Sequence, residues 1–180
     1  MIGFLRFVGI LSAGVWLGAA IFFTFGAGPA VFSQEVKNVL GAKTEDSFRY
    51  FSGGIAQVLV SRYFYWQLGC GSAALLHLLA ERLYSGRSPR RFSLGLLAGL
   101  CALALVGSSW LQPKLKELHT IRYTSPSSER RQAAAQSFAT WHSAAQMVNL
   151  FMIVGLATYL WRLANPPDPT RFVSTSKFWG

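Results

Sequence analysis

His142, Gln146 and Asn149 are the residues of this sequence best placed to do chemistry. They fall at i, i+4 and i+7 inside a long hydrophobic run, FATWHSAAQMVNLFMIVGLATYLWR, residues 138–162. At 3.6 residues per turn they share one helical face, which Ile153 continues without a polar group. An imidazole and two carboxamides turned toward acyl chains would leave hydrogen-bonding groups unpaired, at roughly several kcal/mol each. The stripe must therefore meet other helices, a ligand or water. Hydrogen bonding between helices needs nothing further; contact with a ligand, ion or cofactor is the functional alternative.

The other histidines are His77 and His119. Two of the three converging in a helix bundle would offer axial haem ligands or part of a copper or zinc site. The sequence has no HxxxH, ExxH, CxxC or methionine-rich ligand cluster, and Cys70 and Cys101 each sit in an apolar run, where they read as small buried hydrophobes. His77 lies toward the end of one span and His142 near the start of another. With one crossing, the third span, between them, these ends fall on opposite sides, which matches them poorly as a haem pair. No Ser/His/Asp grouping, phosphate-binding loop or dinucleotide fingerprint can be assembled, so the chain does not read as an enzyme. No Asp or Glu falls within a hydrophobic span except Glu81, at the very end of the second, which argues against a carboxylate-driven proton pump.

The elements that must position these groups are membrane helices. Hydrophobic residues make up 52% of the 180, and only 13% are charged, well below the roughly 25% of soluble domains. Four spans are predicted, at residues 4–32, 63–83, 94–111 and 138–162, in an all-α, four-helix integral membrane bundle forming a single domain. The first is long for a signal peptide and reads as a retained helix. Gly14 and Gly18, and again Gly95 and Gly99, stand four apart and offer flat seams for close helix packing. Trp16 is predicted to pack as a knob. Residues 48–59 have helical apolar spacing broken by Gly53 and Gly54, which predicts an amphipathic segment lying in the interface. Tyr63 to Trp66 would extend its aromatics into a headgroup-level belt. After the third span Pro113 suits the first turn of a new helix, with His119 and Arg122 near one face, and Ser127 or Ser128 caps the helix that enters the fourth span. The tail, residues 165–180, holds Pro166, Pro167 and Pro169 and reads as extended.

The net charge of +10 comes from 17 Lys and Arg against 7 Asp and Glu, and the basic residues cluster where the apolar runs stop. That pattern suits anionic lipid headgroups and not nucleic acid. Four spans put both termini and the central loop on one side. Basic totals on the two sides are nearly equal, but Arg82, Arg87, Arg90 and Arg91 are packed into the short central loop, which favours cytoplasmic termini.

Three stretches carry a family resemblance: WLG and GPAVF in the first span, LQPKLKELHTIRY after the third, and FATWHSAAQMVNL opening the fourth. Together they resemble a family of small four-helix membrane proteins of unknown function that includes a eukaryotic transmembrane protein linked to cisplatin resistance, and that is distantly similar to CopD-type copper-resistance domains. In the places where that family carries prolines, an Arg or His after span 3, and a His and an Asn in span 4, this sequence has Pro113, His119, Arg122, His142 and Asn149. The family's Leu-His-Gly at the start of span 4 is Trp141-His142-Ser143 here, which keeps the imidazole and changes its surroundings. The resemblance implies handling of a metal ion or toxic compound, with copper as the metal, in a membrane such as the bacterial inner membrane.

The residues so read give a polar site of His142, Gln146, Asn149, His119 and Arg122 near one membrane face, binding or passing a metal ion or small molecule. The competing class is an accessory subunit that packs against membrane-protein partners, or a second copy of itself, through the glycine seams. A haem-binding membrane protein is the third.

Overall fold

A computed structural model describes residues 2–85 and 91–165, and among them the chain is helical throughout, without strands. The central arginine loop at Arg87 and Arg90 and most of the proline-rich tail lie outside the described residues.

The helices are α1 (Ile2–Ile21), α2 (Gly28–Ala30), α3 (Gln34–Val39), α4 (Glu45–Ser85), α5 (Arg91–Val106), α6 (Gln112–Thr124) and α7 (Ser128–Ala164). Phe22–Ala27 and Gly107–Leu111 are π-helical and join α1 to α2 and α5 to α6 as continuous rods. Among the described residues three helical stretches are long and apolar enough to cross a membrane: Gly3–Ala30, Arg91–Thr124 and Ser128–Ala164. The crossing expected at 63–83 falls in α4, which is not among them; Gln67, His77 and its Tyr and Trp residues dilute the apolar run.

Both π turns have the same cause. Proline has no N–H for the carbonyl four residues back, and its ring collides with that carbonyl. Widening the turn ahead of it relieves the collision, and here the N–H groups of Gly28 and Gln112, just before Pro29 and Pro113, bond the carbonyls of Phe23 and Gly107, five residues back. The new helix expected at Pro113 is therefore a continuation of the third rod.

α1 packs on α4 and α7, and α5 packs on the same two, so the four rods close a ring. At one end the Arg6 guanidinium donates to the Ala164 carbonyl at 2.5 Å, and Arg162 lies 4.5 Å from the Phe92 ring centre. At the other end α6 pairs with α7, and the Ser127 hydroxyl caps α7 by accepting from the Arg130 N–H. The 41 residues of α4 and 37 of α7 rise roughly 60 and 55 Å at 1.5 Å per residue, against a bilayer core of about 30 Å. The first part of α4, with α6 and the start of α7, forms a helical head at this end of the bundle, and α3 leads into it. Gly41, at φ 60°, ends α3 with the left-handed turn that glycine adopts freely. Across that turn Lys37 and Arg49 both bond Glu45 at 2.9 Å and hold its carboxyl below the usual carboxylate range.

Residues 48–59 correct one expectation: they are not a separate interfacial segment but the first part of α4, which runs unbroken through Gly53 and Gly54. The His119 ring lies where a Cβ on Gly53 would sit, so that glycine serves an inter-helix contact and not a break.

The core gathers Trp16, Leu97, Leu100, Ala104, Met152, Leu156 and Tyr159, and Trp16 is the knob expected of it, fully buried. A Cβ on Gly14, Gly18, Gly95 or Gly99 would meet nothing within 4 Å, so these glycines face away from the chain's own helices. Close approaches occur instead at Gly9, against the His77 ring, at Gly71, against Cys101 and Trp16, and at Gly107, against Phe64. Gly9→Ala drives its methyl into the buried His77 imidazole, which is held 2.8 Å from the Leu5 carbonyl; a loss of about 1–3 kcal/mol is expected. Gly18→Ala meets open space and gains up to about 1 kcal/mol of helix propensity. Unfolding both variants in mixed micelles checks the contrast, and equal effects would refute it.

Candidate functional site

The rods do not fill the space between them near the head. A cavity of about 340 Å³ lies between the π turn after α1, the middle of α4, the π turn after α5 and the first half of the membrane part of α7. Both π turns wall it, through Phe23 and Thr24 on one side and Gly107 and Leu111 on the other. The widened turns thus displace backbone at the level where the cavity opens, a placement in which π bulges recur at functional sites.

Most of the lining is apolar and includes Phe23, Phe64, Leu103 and Met152. Its polar members are Thr24, Tyr63, Gln112, His142, Gln146 and Asn149, and no Lys, Arg, Asp or Glu lines it among the described residues. Three of the polar groups are mutually engaged. The Tyr63 hydroxyl donates to Asn149 Oδ1 at 2.9 Å, Asn149 Nδ2 donates to Thr24 Oγ1 at 2.6 Å, and Thr24 Oγ1 donates to the Ala20 carbonyl at 2.7 Å. Tyr63 is fixed further by stacking on Phe23, with centroids 4.1 Å apart and planes 7° apart. One turn deeper along α4, Gln67 accepts a hydrogen bond from the Trp16 indole in the core, and its own amide nitrogen has no protein partner.

The remaining three, His142, Gln146 and Gln112, make no side-chain hydrogen bond among the described residues. His142 stacks on Phe138 at 5.7 Å, and Trp141 beside it meets Trp110 edge-on at 5.0 Å. Trp110 is exposed, as are Tyr65 and Trp66 on α4, and aromatic residues so placed mark the headgroup level. The free polar groups thus stand at the interfacial mouth. Asn149, seven residues along α7, is roughly 10 Å deeper.

Of the predicted site residues the structure brings His142, Gln146 and Asn149 to one cavity and leaves the other two elsewhere. His119 is buried in the head among Tyr50, Tyr123 and Phe138, stacked on Tyr50 at 5.9 Å. Phe138 touches both His119 and His142 and stands between them. Arg122 lies over the Tyr123 ring at 5.1 Å. His77 is at the far end, against α1, so the three histidines occupy three different surroundings. No group of three or more His, Cys, Asp or Glu among the described residues could hold a metal ion.

The sequence reading passed over Tyr63 and Thr24. Tyr63 reads in the sequence as one of four belt aromatics, yet it is buried and bonds Asn149; a lone threonine in the apolar stretch ahead of Pro29 is the signal for the other. Phe64 is likewise a packing residue, leaving Tyr65 and Trp66 to face outward.

A helical membrane domain around a largely apolar cavity is the class these features define. Residues 11–124, well over half of the chain, match the family described as a domain of unknown function (DUF4149), and the chain belongs to that family. The match ends before α7, which carries His142, Gln146 and Asn149. No curated protein and no solved structure matches the chain.

Proposed function

We propose that this chain is a single four-span membrane domain, with α4 as the fourth crossing, that holds a small, uncharged, mainly apolar molecule in its cavity. The observation that carries the reading is the lining: a pocket of about 340 Å³, in the size range of ligand sites, with apolar walls, a few convergent polar groups and no charge. His142, Gln146 and Gln112 would bond the ligand, while Tyr63, Asn149 and Thr24 hold one wall in shape. Handling of toxic compounds, implied by the resemblance to the cisplatin-resistance-linked family, is compatible with such a pocket. The copper, CopD-like and haem readings call for converging ligands, and the separate surroundings of His77, His119 and His142 lend them little support. Cytoplasmic termini and a bacterial inner membrane belong to the same proposal.

The accessory-subunit reading draws on one observation, the outward glycine faces at Gly14, Gly18, Gly95 and Gly99, which leave room for another helix.

Naphthol, an apolar ring with one hydroxyl, tests the cavity. At about a hundredfold excess over its dissociation constant it should stabilise the purified protein by about 2.7 kcal/mol. Ala145→Phe, which places a ring in the cavity, should abolish the effect without loss of helical signal. A wild-type protein whose unfolding is unmoved by naphthol refutes the reading.

A further inference from the structure

We infer that the natural occupant of the cavity is a neutral single-chain lipid that enters sideways from the bilayer, with its head at His142, Gln146 and Gln112 and its chain against Phe23, Leu103 and Met152. The inference rests on the proposed cavity reading and adds the class of ligand. Four observations lead to it.

The first is depth. The free polar groups lie beside Trp110 and Trp141, at the level of lipid headgroups, and the apolar walls run from there into the hydrocarbon layer. A molecule polar at one end and apolar along its length, standing parallel to the lipids, matches that gradient. The second is the rim. Phe32, 51% exposed, and Leu59, 36% exposed, line the cavity and also face outward, so its side opening is bordered by apolar side chains that lipid tails can wet.

The third is charge. With no ionic side chain in the lining, an ionised head would lose its hydration without a counter-charge. Two carboxamides and an imidazole instead offer donors and acceptors together, the complement of hydroxyl and ester groups. The fourth is availability. His142 and Gln146 are exposed on the chain and unbonded within it, so their donors and acceptors are open to the head of a ligand. A volume at the low end of the ligand range takes one head and the start of one chain, not two.

The test uses the full chain in phosphatidylcholine nanodiscs exposed to an equimolar mixture of monolauroylglycerol, laurate and lauryltrimethylammonium, which share a chain and differ in charge. After release, native mass spectrometry counts what is retained. Monolauroylglycerol should be retained at least tenfold over either charged lipid, and Gln146→Leu and Ala145→Phe should each lower its retention at least tenfold. Gln146 is exposed, so its replacement leaves packing intact, and circular dichroism checks the fold of both variants. Equal retention of a charged lipid overturns the neutral-head assignment, and retention indifferent to both substitutions identifies lipid bound elsewhere on the surface. If naphthol binds while monolauroylglycerol does not, the lipid class falls and the cavity reading stands. If neither binds, both fall.

Discussion

Trp16→Ala should cost about 3–5 kcal/mol of stability, the range for emptying a buried tryptophan site. Trp16 is fully buried where α1 meets α4, and it touches the space left by Gly71. The indole N–H is also the donor to Gln67 Oε1. Because Gln67 is completely buried and its amide nitrogen already lacks a partner, removing the indole leaves both ends of one carboxamide unsatisfied. Trp16→Phe separates the terms: it keeps most of the ring and removes the donor, so about 1–3 kcal/mol should be lost. Adding Gln67→Met should recover much of that by removing the stranded amide. SDS titration in mixed micelles gives these differences. Additive losses in the double variant would mean that Trp16 acts through bulk alone.

The second large effect is expected at Asn149, which joins three helices by accepting from Tyr63 and donating to Thr24. Asn149→Leu strands the Tyr63 hydroxyl, since Thr24 retains its bond to the Ala20 carbonyl. A buried orphan costs about 1–3 kcal/mol, while hydrogen bonds between membrane helices average only about 0.6 kcal/mol because the separated helices find other partners. The penalty should therefore be that of the orphan and not of the lost bond. Tyr63→Phe in the Asn149→Leu background should restore stability, whereas Tyr63→Phe alone strands Asn149 Oδ1 and should cost a similar amount. If the double variant is as unstable as the sum of the singles, the two side chains are not coupled.

Much of the fold was legible because the bilayer constrains it. Apolar runs of spanning length located the first rod within a few residues and the apolar parts of the third and last, whose helices extend 13 residues past 111 and 10 residues ahead of 138, and His142, Gln146 and Asn149, read as one face, all line the cavity. Less was legible where tertiary contacts overrode local signals. Gly53 and Gly54 read as a break, yet the His119 ring seated on Gly53 is a contact between α4 and α6 that no local pattern contains. The small-residue spacing at Gly14 and Gly18 marks where a helix can be approached, not which face its partner takes; Gly9 and Gly107 carry the contacts without that spacing. Tyr63 and Tyr65 are two residues apart and thus differ in face, a distinction lost when both are read as a belt. The cavity was invisible in the sequence, since it depends on two proline-driven π turns arriving at the same depth from different rods.

The Asn149 bridge has a consequence for how the chain is made. Thr24 belongs to a helix that leaves the ribosome well before the one holding Asn149, 125 residues further on. Until α7 is inserted, the Tyr63 hydroxyl has no Asn149 to meet, and the Arg6 guanidinium has no Ala164 carbonyl, 158 residues away, to close on. The earlier helices therefore wait in the bilayer with polar groups uncovered, and arrival of the last one completes their bonding in a single step. A chain cut short before α7 would carry these uncovered groups permanently.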